Sequence, residues 1–145
     1  EGVFSPEELI RVILCADVTM LFNGGIGTFI RSSQEDDRSV DDAANSACRV
    51  AADQVRARML IEGGNLGVTP RGRVELSRRG ALINTDFVDN SGGVDCSDHE
   101  VNLKTLLIDE VRSGRLTEEQ RNEVLIEVQD DVCDQVLTNT REQGL

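Results

Sequence analysis

Residues 59–70, Met59-Leu60-Ile61-Glu62-Gly63-Gly64-Asn65-Leu66-Gly67-Val68-Thr69-Pro70, decide how this sequence folds. A short apolar run is cut off by a glycine-rich loop, and Thr69-Pro70 then supplies a helix cap and a residue pre-set for a first helical turn. An apolar run this short, bounded by glycines, reads as a buried strand, so the stretch is one strand-loop-helix unit. Gly80 ends the helix by permitting a left-handed backbone, and Ala81-Leu82-Ile83 starts a further apolar run. The pattern has an earlier copy, in which Asp17 to Phe22 (DVTMLF) runs into Asn23-Gly24-Gly25. Strands separated by helices, each strand closing on a glycine loop, predict an α/β fold built on a doubly wound parallel sheet, with ligands at the strands' carboxyl edge.

Outward from these units the spacing predicts further helices. Ser5-Pro6-Glu7-Glu8 combines an N-cap, a first-turn Pro and a capping-box Glu ahead of Leu9, Ile10, Ile13 and Leu14. Ser39 or Asp41 can cap a helix holding Ala43, Ala44, Ala47 and Val50. Asp86 to Gly93 reads as a loop, followed by a long helix from Ser97 to Arg112, and Thr117-x-x-Gln120 caps another carrying Leu125, Val128, Val132 and Val136. The last two predict an antiparallel C-terminal helical pair. Three strands are half of a doubly wound sheet, so residues 1–114 are expected to be the second half of a Rossmann-like domain and 115–145 a helical segment packing on it. An opening at Glu1 and a close on polar helix lead us to expect a segment of a longer chain.

At 145 residues, 39% apolar and 29% charged, the composition is that of one globular domain, and four Phe without Trp or Tyr make its core aliphatic. A net charge of −12 repels phosphate backbones and anionic membranes, and no basic stripe offsets it, which argues against nucleic acid as a partner. Arg71, Arg73, Arg78 and Arg79 form a local basic cluster that could meet a phosphate, but it reads first as a solvated helix face balancing an acidic surface. No apolar run reaches membrane-spanning length and the start lacks signal-peptide features, so no membrane and a cytoplasmic location are expected. Cys15, Cys48, Cys96 and Cys133 are far apart and only one His is present, which predicts free thiols and no zinc site, with Cys15 and Cys133 as small core residues.

Several residues can carry chemistry. Gly25-Ile26-Gly27 follows a strand, but Ile30 stands where a dinucleotide fingerprint needs its third glycine, so a plain turn competes with a pyrophosphate contact. In the 62–69 loop, the glycines let a ligand approach the backbone, and the Asn65 amide offers donor and acceptor to a carboxamide, unless it only satisfies its own turn. Residues 84–100 concentrate polar side chains between a strand and a helix. Asn90 can fix a carboxamide there, and Ser97 can hold a carboxylate with its hydroxyl and the helix's positive end, or simply cap the helix. His99 has Asp95, Asp98 and Glu100 nearby and reads as a base, a metal ligand or a surface residue. No Cys or Ser is spaced with it for hydrolysis.

Three stretches, in this order, resemble the large NAD-specific bacterial glutamate dehydrogenases: Phe22-Asn23-Gly24-Gly25-Ile26-Gly27-Thr28-Phe29, Glu62 to Thr69, and Ile83 to Asn102 (INTDFVDNSGGVDCSDHEVN). Hexameric glutamate dehydrogenases carry a shorter, similar pattern, E-G-A-N-G-P-T and later N-A-G-G-V followed by a serine. Here Gly64 replaces the Ala, and Leu66-Gly67 replaces Gly-Pro. The resemblance implies NAD as cofactor, with Asn65 and Asn90 near the nicotinamide ribose and carboxamide, Gly64 in the same loop, and Asn23 and Gly24 where the cofactor-lining strand ends. It implies Ser97 beside the carboxylate of L-glutamate or 2-oxoglutarate. It also implies a fingerprint strand and a substrate domain with catalytic lysine and aspartate upstream, no catalytic residue in this chain, and a homo-oligomeric full-length protein. Lys104, the single lysine, matches no catalytic motif. Two other readings are an acidic, non-catalytic interaction module of dehydrogenase-like shape and a dehydrogenase acting on another amino acid.

Overall fold

In the computed structural model, which describes residues 3–143, the first elements are α1 (Pro6–Leu14), β1 (Met20–Asn23), β2 (Ile30–Arg31), β3 (Val50–Ala51), β4 (Met59–Glu62), α2 (Pro70–Arg78), β5 (Leu82–Ile83) and α3 (Asp86–Asp89). They belong to one compact unit, Glu1–Asn90; a second unit is Ser91–Leu145. The expected caps form. Ser5 Oγ accepts from the Glu8 amide (3.2 Å) while Glu8 Oε2 accepts from the Ser5 amide (2.8 Å), and Thr69 Oγ1 accepts from the Gly72 amide (3.0 Å) at the start of α2. Gly80 follows α2 at φ +93°.

β1, β4 and β5 make a parallel sheet with β4 in the centre, Asn23 opposite Glu62 and Leu60 opposite Ile83. This is the α/β, partly wound Rossmann-like architecture that the strand-loop-helix repeats predict. β2 and β3 pair separately, also in parallel, and Ile30 bridges to Val68, tying that ribbon to the loop after β4. The core gathers Leu14, Ile30, Val50, Val55, Leu60, Val68 and Leu76, with Cys15, Leu21 and Ile83 packed at its margin. Burying side chains such as Leu60 and Leu76 contributes about 1.5–3 kcal/mol each.

No helix forms over 43–50. A 3-10 turn at Asp37–Ser39 and a series of turns lead into β3 instead. Asp42 and Arg49 explain the difference. The Arg49 side chain is fully buried, its Nε donates to the Thr28 carbonyl (2.8 Å) and its Nη2 to the Asp42 carbonyl, and the Val50 amide is taken by Phe29 O (2.9 Å). Side-chain partners for the backbone outcompete a helix whose apolar face is mostly alanine.

The second unit consists of α4 (Ser91–Arg112), α5 (Glu118–Glu127) and α6 (Gln129–Gln143). The expected loop at 86–93 is helical on both sides of Asn90, so α4 starts before Ser97. Of its early glycines, Gly92 lies against α6, where a Cβ would sit 3.7 Å from Val136. Tertiary packing outweighs the roughly 1 kcal/mol that glycine costs in a helix. The helix begun by the Thr117 capping box ends at Val128, and α6 follows it directly, so three helices stand where a pair was expected. α4 packs on α6, with Leu107 and Val136 buried. The two units divide at 90/91, immediately before α4. Cys48 is buried, and Cys133 is exposed, not a core residue.

Candidate functional site

Because β1, β4 and β5 run parallel, their carboxyl ends Asn23, Glu62 and Ile83 lie on one edge of the sheet. The loops that leave this edge bring five of the expected site residues together. The Gly63 amide donates to the Asn23 carbonyl (2.9 Å), joining the two strand ends. The Asn23 side chain lies on Gly67, where an added Cβ would come 2.1 Å from its Nδ2. Gly64 approaches the neighbouring loop so closely that a Cβ there would lie 3.2 Å from Gly25 O, and Gly24 is packed by the Phe22 ring. Asn90 Nδ2 donates to Asn65 Oδ1 at 3.1 Å, so two residues 25 apart in sequence meet as an amide pair.

A charged frame supports this edge, and it is what reading the sequence missed. Glu62 is completely buried; its Oε1 accepts from the Val68 amide (3.1 Å), its Oε2 is paired with Arg73, and its own amide donates to Asp89 Oδ2 (3.1 Å). Arg73 is therefore largely buried, not part of a solvated face, and it also donates to the Asn84 carbonyl and stands 4.0 Å from Asp86 Oδ1. Arg71, Arg78 and Arg79 are exposed, as that face expects, although Arg79 also donates to the Ala52 carbonyl. Asp86 Oδ2 accepts from the Leu66 amide (2.7 Å), and Thr28 Oγ1 donates to the Leu66 carbonyl (2.6 Å). A glutamate set directly behind an apolar strand run was the available signal, since a charge there must be paired to be buried. Beside Thr28, the Asp42 carboxyl is held below the ordinary Asp range by the Thr28 amide and then by the Asn45 side chain.

The amide pair sets which hydrogen-bonding groups this edge presents. With the Asn65 carbonyl oxygen accepting from Asn90, the pair still offers the Asn65 NH2 as donor and the Asn90 carbonyl as acceptor, the complement of a carboxamide's oxygen and NH2. The adjoining glycines present backbone without side chains.

Ser97 belongs to the second unit. It lies inside α4, not at its start, and its hydroxyl donates to the Gly93 carbonyl (3.1 Å), so helix capping does not describe it. His99 Nε2 is 3.6 Å from Asp95 Oδ1 one turn earlier, and Lys104 pairs with Glu100 on the exposed face of the same helix. Among the described residues no cluster of three or more His, Cys, Asp or Glu is placed to hold a metal ion, and no helix is long and apolar enough to cross a membrane.

The chain matches, over residues 1–145, the family described as bacterial NAD-glutamate dehydrogenase, catalytic domain. It is 49% identical over 143 residues to the NAD-specific glutamate dehydrogenase of Halomonas elongata, covering 99% of this chain and 9% of that protein. Against the proteins of the same name from Mycobacterium tuberculosis and Pseudomonas aeruginosa, identity is 51% over 140 residues and 50% over 139, with 97% and 96% of this chain and 9% of each relative covered. The chain thus spans about a tenth of the length of the curated relatives it matches. With a family match over the full chain and identity of about half along nearly all of it, the chain belongs to the catalytic-domain family of bacterial NAD-glutamate dehydrogenases.

Proposed function

We propose that this chain forms the nicotinamide side of the cofactor site in a glutamate dehydrogenase, an enzyme that converts L-glutamate and NAD to 2-oxoglutarate, ammonium and NADH. The observation that carries this reading is the Asn65–Asn90 amide pair at the carboxyl edge of a parallel sheet, where dinucleotides bind in doubly wound folds. Asn65 and Asn90 hold the carboxamide, Gly24 and Gly64 allow the nucleotide to approach the backbone, and Asn23 orients the edge through its contact with Gly67. When bound, NAD supplies the hydride acceptor. Membership of the family and the names of its relatives support the choice of cofactor and amino acid.

On this reading the chain's own residues bind and orient. The general base for the imine steps belongs to other parts of a longer, homo-oligomeric, cytoplasmic protein. Ser97 meets the glutamate carboxylate only after its hydroxyl releases the Gly93 carbonyl, so Ser97 is the substrate contact that must rearrange on binding.

The test is steady-state kinetics of the full-length enzyme. Asn65→Ala and Asn90→Ala should each raise KM for NAD by roughly 3- to 10-fold, the value of one neutral hydrogen bond, with KM for glutamate unchanged. Because the two amides bond to each other, the double variant should lose less than the product of the single losses. Unaltered NAD kinetics in both single variants would overturn the site.

A further inference from the structure

Leu66 follows Asn65 and is the single described non-glycine residue with positive φ, at +60°. That left-handed conformation is unfavourable for a branched side chain and persists only where the surroundings impose it. Side-chain packing does not impose it, since Leu66 is 58% exposed. Its two backbone groups are instead gripped from opposite sides. The amide donates to Asp86 Oδ2 (2.7 Å), and the carbonyl accepts from Thr28 Oγ1 (2.6 Å).

Each grip is itself anchored. Asp86 faces Arg73, which is fixed by the buried Glu62 carboxylate and by the Asn84 carbonyl. Thr28 is buried, and both of its backbone groups are occupied: its amide donates to Asp42 Oδ2 (2.7 Å) and its carbonyl accepts from Arg49 Nε (2.8 Å). The two peptides flanking Leu66 are therefore each held, Asn65–Leu66 through its N–H by Asp86 and Leu66–Gly67 through its carbonyl by Thr28, and together they set where the Asn65 carboxamide stands to receive the Asn90 amide.

We infer that Thr28 and Asp86 are positioning residues for the cofactor: by clamping Leu66 in its left-handed conformation they hold the Asn65 carboxamide ready for the nicotinamide. Neither residue touches the nicotinamide on this account; both act through Leu66. The inference rests on the reading of Asn65 as a cofactor contact, and its test separates the two.

The experiment compares Asn65→Ala, Thr28→Val, Thr28→Ser, Asp86→Ala and Asp86→Asn in the full-length enzyme, reading KM for NAD, KM for glutamate, kcat and the thermal inactivation midpoint. Thr28→Val removes the donor at nearly constant volume, and Asp86→Ala removes the acceptor; each should raise KM for NAD roughly 3- to 10-fold while KM for glutamate and the midpoint hold. Thr28→Ser and Asp86→Asn keep a donor and an acceptor and should restore KM for NAD to within about twofold of wild type. The clamp is overturned if Asn65→Ala weakens NAD use while Thr28→Val and Asp86→Ala do not, which leaves the Asn65 assignment standing. It is also overturned if both KM values and the midpoint move together without rescue, the signature of a structural role. Indifference of NAD kinetics to Asn65→Ala removes the reading of Asn65 and the clamp's purpose with it. Should Thr28→Val fail to fold, the Asp86 pair carries the same comparison.

Discussion

At the scale of single residues, glycines serve opposite needs in this chain. Gly80 has φ +93° and open space where a Cβ would go, so Gly80→Ala meets backbone strain alone, about 1–2 kcal/mol. Gly67 needs no unusual φ but has no room: a Cβ would lie 2.1 Å from Asn23 Nδ2 and 2.9 Å from Glu62 Oε1. The Asn23 amide can swing aside, but Glu62 is buried and held by Arg73 and the Val68 amide, so it cannot follow cheaply. Gly67→Ala should cost about 1–3 kcal/mol of overpacking. Hydrogen exchange of the Val68 amide in the full-length protein is the direct readout, and it should accelerate by roughly 5- to 150-fold if opening of the loop limits exchange. An unchanged Val68 rate would show that the Glu62 carboxylate is not fixed as described.

At the scale of elements, the strands β1, β4 and β5 were legible because burial and glycine punctuate them in the sequence, whereas the two-residue strands β2 and β3 were not, being too short to carry a pattern of their own. Met59-Leu60-Ile61 became β4, Thr69-Pro70 opened α2 and Gly80 closed it. The meeting of Asn65 with Asn90 was legible only as two residues suited to one ligand, since a hydrogen bond between loops has no local signature. What the sequence hid was set by distant partners. The alanines of 43–47 carry helix propensity, but the buried Arg49 guanidinium and the Asp42 carboxylate organise that connection into turns. Gly92 sits in α4 because α6 packs against it. The same dependence gives the β1-to-β4 connection a pH response. Hydrogen bonds from Arg31 hold the Asp37 carboxyl, and from Thr28 the Asp42 carboxyl, below the usual 3.8. A folded-state pKa below the unfolded one stabilises the fold above 3.8, and that contribution is lost as pH falls through the lower folded values. Between about pH 7 and pH 5 these two groups should therefore leave the stability of the connection flat. In the labelled chain, the Thr28 amide resonance should titrate below pH 3.8 and lose that transition in Asp42→Asn. A Thr28 transition centred above pH 3.8 would mean that the Asp42 bond does not favour the carboxylate.

At the scale of the whole chain, two opposing surface properties decide how it behaves when produced by itself. A net charge of −12 on 145 residues keeps copies apart. Against it stand the apolar side chains of α1, with Leu9, Ile10, Val12 and Ile13 between 36% and 51% exposed, and a three-stranded sheet whose outer strands β1 and β5 each have one described neighbour. Scattered exposed apolar residues are ordinary, but four on one helix, and strand edges with a single described neighbour, are each features that another copy can cover. Salt discriminates the two terms, because charge repulsion reaches about 8 Å at physiological ionic strength and about 3 Å at 1 M, whereas apolar association is not screened. Sedimentation of the chain should thus show more association as sodium chloride rises to about 1 M, and Ile13→Asp should reverse it by adding charge to the apolar face. A chain that stays monomeric at every salt concentration would mean that the α1 face and the strand edges are too small or too dispersed to bind a second copy, so that repulsion was never what kept the copies apart.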